Sequence, residues 1–92
     1  MIVRIMGEGQ RELDDSEVAA LSALDEELQR TVEADDVQAF QQALGTLLGR
    51  VREAGTGLPI DSLEPSDLLL PPADAGLSDV REMLGDEGLI PG

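Results

Sequence analysis

The feature that most constrains this chain is a pair of apolar stripes with helical spacing, separated by the acidic break Ala34-Asp35-Asp36. Val18, Leu21, Leu24, Leu28 and Val32 recur three and four residues apart, which places them along one face of an α-helix. Val37, Phe40, Leu44, Leu47, Leu48 and Val51 repeat the pattern after the break. Asp36 can cap the second helix by accepting from its first turn. So short a break joins antiparallel neighbours, and the spacing predicts an αα-hairpin over 15–33 and 37–54. Its start is marked too. With Asp14 as N-cap, Glu17 falls at the third helical position, as in a capping box, and Leu13 and Val18 take the hydrophobic-staple positions. Gly55 is a stop signal, and Arg50 and Arg52 suit the negative end of the second helix. Gly45 and Gly49 each cost that helix up to about 1 kcal/mol relative to alanine. Their four-residue spacing allows close helix–helix contact.

The flanks read as strands. Met1 to Met6 is β-branched and alternates, with Val3 and Ile5 on one face and Ile2, Arg4 and Met6 on the other. Gly7-Glu8-Gly9 is a turn signal, so 10–13 returns as a second strand. A hairpin alone is marginal and needs a third strand or helical cover. Residues 55–66 read as a loop. Asp67 to Leu70 reads as a third strand on a sheet edge, because Pro71-Pro72 cannot extend a ladder. A last helix is expected over 77–84, with Gly76 as N-cap, Asp79 three residues on and Gly85 as its stop. Leu89 and Ile90 are expected to pack back onto the domain. The fold class is therefore α+β. A small three-stranded, mainly antiparallel sheet packs against the αα-hairpin, with a short C-terminal helix, in one domain over 1–92. Phe40 is the only aromatic residue, so the core must be aliphatic.

Composition removes whole classes of chemistry. Without cysteine or histidine there is no disulfide, no thiolate, no Ser-His-Asp triad and no ordinary zinc site. The 20 acids in 92 residues make close carboxylate pairs inevitable. Asp14-Asp15, Asp35-Asp36 and Asp86-Glu87 do not match the spacing of a calcium-binding loop. Gly7-Glu8-Gly9 lacks the length and lysine of a phosphate loop. Asp61-Ser62-Leu63 matches the triplet that carries phosphopantetheine in acyl carrier proteins, but Pro65 interrupts the helix such a protein needs. That match is a remote alternative. The chain is expected to be non-enzymatic, with no cofactor and no metal.

The net charge of −14, with only six arginines against it, opposes binding to nucleic acid or direct adsorption to anionic lipid. No segment has the run of about 18 apolar residues that a membrane span needs, so a cytoplasmic protein is expected. The charge is uneven. Residues 14–36 hold nine acids and one arginine, while 37–54 carry a net +1. The acidity serves solubility, or it forms a docking face on the first helix, whose candidate contacts are Asp25, Glu26, Glu27, Arg30 and Glu33. An alternative is a homo-oligomeric regulatory or ligand-sensing domain that pairs through a sheet face or the edge strand at 67–70. Leu28, Val32, Phe40, Leu44 and Leu47 read as core, against a partner groove between the helices.

Three stretches also carry a resemblance. They are Met1-Ile2-Val3-Arg4-Ile5 with Glu8-Gly9-Gln10, the run from Glu64-Pro65-Ser66 to Pro71-Pro72-Ala73-Asp74-Ala75, and Val80-Arg81-Glu82 with Glu87-Gly88-Leu89-Ile90-Pro91. In order and spacing they resemble the PspA-associated (PspAA) domain family, small bacterial and archaeal proteins linked to phage shock protein A. The resemblance implies a role in the envelope-stress response. The domain would bind a coiled-coil, membrane-remodelling protein or tune its assembly, and would lie near the inner membrane through that partner. It implies no enzymatic activity. Members often carry an aromatic residue just after the Gly-Gln, where this sequence has Arg11, and a threonine-like cap is expected before the last helix, where it has Gly76.

Overall fold

The computed structural model describes residues 1–59, 61 and 63–84. Ile2–Ile5 forms β1 and Gly9–Glu12 forms β2. They pair antiparallel, with Val3 opposite Arg11 and Ile5 opposite Gly9. The turn between them closes through the Glu8 N–H, which donates to the Ile5 carbonyl at 2.9 Å. Gly7 takes φ +86 in that turn, a conformation that favours glycine. As the alternation predicts, Val3 and Ile5 are buried and Arg4 and Met6 are exposed.

The rest of the sheet differs from the three strands expected. Thr56–Gly57 forms a short β3 against β2, and Leu68–Leu70 forms β4 against β1, giving the order β3-β2-β1-β4. The fourth strand follows from how the second helix ends. Gly55 leaves it in an extended conformation, φ −91 and ψ 148, so the chain runs directly into pairing with β2. From that edge the chain must reach β4 at the other edge. Glu64 and Ser66 lie over the sheet face turned away from the helices, and β4 pairs parallel to β1, with Val3 opposite Leu68. Gln10 holds Glu64 and Ser66 there. Its side-chain amide donates to the Glu64 carbonyl at 2.7 Å and to Ser66 Oγ at 2.9 Å, and its own carbonyl accepts from the Leu58 N–H at 3.0 Å. β4 is an edge strand, as Pro71 requires.

The helices form where the stripes place them. A single 3-10 turn, Asp15–Glu17, leads into α1 (Val18–Glu33), and α2 spans Val37–Ala54. Asp14 is the cap, accepting from the Ser16 N–H at 2.9 Å. Glu17 does not complete a capping box, because the 3-10 turn intervenes and its carboxylate meets Arg50 instead. The α1–α2 turn is a Schellman motif. The Asp36 N–H donates to the Thr31 carbonyl and the Asp35 N–H to the Val32 carbonyl, both at 3.1 Å, with Asp35 at φ +57. Asp36 then caps α2, accepting from the Ala39 N–H at 3.1 Å.

Leu21, Leu28 and Val32 of α1 and Phe40, Leu44, Leu47, Leu48 and Val51 of α2 meet Val3, Ile5, Leu68 and Leu70 of the sheet in one core. Val37 is 57% exposed, because the first residue of α2 lies beyond the end of the sheet-facing stripe. Gly45 and Gly49 do not serve close helix contact: a Cβ on either would meet nothing within 4 Å. α3 spans Leu77–Leu84 and buries Leu77 and Val80 in the same core. The Gly76 N–H donates to Asp79 Oδ2 at 3.1 Å, so the weak glycine cap is reinforced from within the first turn. The Gly85 stop and the packing of Leu89 and Ile90 lie outside the described residues.

Candidate protein-interaction surface

The five residues proposed on α1 do not share one exposed surface. Asp25 is only 2% exposed, and Gln29 Nε2 donates to its carboxylate at 3.4 Å. The spacing explains this: Leu21, Asp25, Leu28 and Val32 follow one four-three-four repeat, so Asp25 belongs to the buried stripe. Glu26, Glu27, Arg30 and Glu33 are all exposed. At about 100° per residue, 26, 30 and 33 project from one side of the helix. Arg30 is ion-paired to Glu27, which cancels that charge locally. Glu26 and Glu33 make no ion pair among the described residues, and between them they set the negative character of the face.

Most of the arginines are engaged within the fold. Arg50 on α2 meets Glu17 at 2.7 Å, and Arg52 meets the hairpin-turn residue Glu8 through two bonds at 2.9 and 2.5 Å. The hydrogen bond from Arg52, reinforced by its charge, holds the Glu8 carboxyl below its ordinary value. The Ser16 N–H does the same for Asp14. On α3, Arg81 donates to the Val32 carbonyl at 2.9 Å and to Asp35 at 3.0 Å, which fastens α3 to the α1–α2 turn. Helix-dipole placement alone does not reveal these partners, since each lies far away in sequence. Arg11 is half-buried on the helix side of the sheet, with its Cβ beside Gly55.

Shallow depressions mark the described surface. One of about 480 Å³ lies between β2 and the end of α2, lined by residues including Leu13, Ala54 and Leu58. One of about 420 Å³ lies between the helices, beside Leu24 and Gly49. A third, of about 350 Å³, is lined by Met6, Pro71, Pro72, Asp74, Ala75, Asp79 and Met83. Among the described residues no three carboxylates are grouped to hold a metal ion. None of the described helices is long and apolar enough to cross a membrane. Ser62, the serine of the carrier-like triplet, lies outside the described residues.

A protein-family profile described as PspA-Associated protein matches residues 1–92, the whole chain. No curated protein and no solved structure gives a significant match.

Proposed function

The chain belongs to the PspA-associated protein family, and on that membership we propose that it is a non-enzymatic accessory of a phage-shock-protein-A-like coiled-coil protein, docking through the acidic outer face of α1. The observation that carries this reading is the full-length family match. The exposed carboxylates of Glu26 and Glu33 add the chemistry. Coiled-coil helices present rows of charge along their outer positions, and a basic row would complement this face. A net charge of −14 steers such an encounter from a distance and rejects acidic competitors. The protein then works in the cytoplasm and reaches the inner membrane through its partner.

The test is a binding titration between the purified chain and its phage-shock partner at several salt concentrations. Association that weakens as salt rises supports the proposal. The double substitution Glu26→Lys with Glu33→Lys should weaken binding further without lowering the melting temperature, because both side chains are exposed. No association of the unaltered chain at low salt refutes it.

A further inference from the structure

The sheet face turned away from the helices carries a second surface of different chemistry. Glu64 and Ser66 lie over its β2 half, where Gln10 is buried. Among the described residues, the β1–β4 half stays open. There Arg4 stands opposite Leu69 in the parallel pairing, and Met6 follows two residues on, just past the end of β1. Met6 and Leu69 are 44% and 46% exposed. The patch continues into the depression of about 350 Å³, where Pro72, Ala75 and Met83 join Met6, and Asp74 and Asp79 form its acidic rim away from Arg4 in sequence. Of the five large apolar side chains exposed among the described residues, Leu69 and Met6 thus flank Arg4, and Met83 adjoins Met6 across the depression.

Arg4 gives this patch its selectivity. Arg30, Arg50, Arg52 and Arg81 are each ion-paired within the chain. Arg4 is exposed and makes no ion pair among the described residues, despite an excess of 14 negative charges. A cation bordered by leucine and methionine is complementary to a carboxylate set among aliphatic side chains. Methionine-rich surfaces adapt to helical ligands of varied shape. We infer that the open β1–β4 face is a second docking surface, which takes the apolar stripe of an amphipathic helix on Met6, Leu69 and Met83 and pairs one of its carboxylates with Arg4. The inference rests on the reading of the chain as a coiled-coil accessory, since such a partner is built of amphipathic helices. With α1 on the other side, one domain would engage two helices at once, by charge on one face and by apolar contact on the other.

The test uses the full chain and its purified phage-shock partner. Met6→Ser with Leu69→Ser, and separately Arg4→Glu, should each weaken binding about five- to twentyfold. Melting temperatures should stay near the parent value, because all three side chains are exposed. The loss from Met6→Ser with Leu69→Ser should persist at high salt, unlike the loss from Glu26→Lys with Glu33→Lys. A photo-crosslinking residue at position 69 should attach to a helical segment of the partner that carries an acidic residue beside its apolar positions. Crosslinking to a second copy of this chain, or to a segment without an acid, overturns the inference. So does parent-level binding in the Met6/Leu69 variant, and if the Glu26/Glu33 variant loses binding in that case, the accessory reading stands. No binding by the unaltered chain removes both.

Discussion

Replacing Gln10 tests the least obvious part of the fold, the closure of Glu64 and Ser66 over β2. Gln10 is 7% exposed, and its amide makes the two bonds to Glu64 and Ser66 at 2.7 and 2.9 Å. A neutral hydrogen bond of this kind contributes about 0.5–1.5 kcal/mol. Gln10→Met keeps the length of the side chain and removes both donors, so it should cost about 2 kcal/mol. For a domain of this size that lowers the melting temperature by about 8–16 °C. Ser66→Ala removes one acceptor and leaves the Glu64 bond, so its cost should be near about 1 kcal/mol. The two substitutions share an interaction, so the double variant should cost less than their sum. Urea unfolding measures the free energies, and thermolysin cleavage at Leu63, which is 98% exposed, reports whether this closure detaches before the core unfolds. The reasoning fails if Gln10→Met lies within about 0.3 kcal/mol of the parent, or if cleavage at Leu63 is not accelerated.

Three further outcomes follow from the geometry. A Cβ at Gly55 would lie 2.7 Å from the Val51 carbonyl and 2.9 Å from the Arg11 Cβ, both closer than real contacts allow. Gly55→Ala should therefore destabilise by about 1–3 kcal/mol in urea unfolding. Gly45→Ala and Gly49→Ala meet open space, and each should stabilise by about 0.5–1 kcal/mol in the same measurement. The Glu8 carboxyl is held below its ordinary value of 4.5 by the hydrogen bond from Arg52. A depressed folded-state value means that its contribution is complete above about pH 4.5 and is lost as pH falls through the folded value. Both partners are solvated, so the contribution stays below about 1 kcal/mol. Glu8→Gln should flatten that part of the stability–pH curve, seen by denaturant unfolding between pH 3 and 7.

What could be read from the residues was local. The stripes of α1 and α2 and the alternation of Val3 and Ile5 are periodic, and Asp36 acts within one turn of its own position. Those elements and their caps fall where the pattern puts them. The rest depends on where distant segments meet. Thr56–Gly57 has no strand pattern and pairs only because Gly55 exits α2 in an extended conformation. Gln10 looks like any polar strand residue until a segment more than 50 positions away closes over it. The candidate site divides in the same way. Glu26, Glu27, Arg30 and Glu33 were legible as an exposed helical face. Asp25 belongs to the buried repeat that passes through it, and counting charges by segment concealed that. The Arg4 patch was half visible, since alternation puts Arg4 and Met6 together, but Leu69 joins them only through the parallel pairing of β4.

The central claim is that this acidic domain serves a coiled-coil phage-shock partner through the outer face of α1. The direct measurement is the equilibrium affinity of the purified pair at low and at high salt, for the parent and for Glu26→Lys with Glu33→Lys. The account predicts a complex at low salt that weakens as salt rises, and a double variant that binds more weakly and has lost most of the salt dependence. Absence of a complex at low salt, or undiminished binding and salt dependence in the double variant, would contradict it.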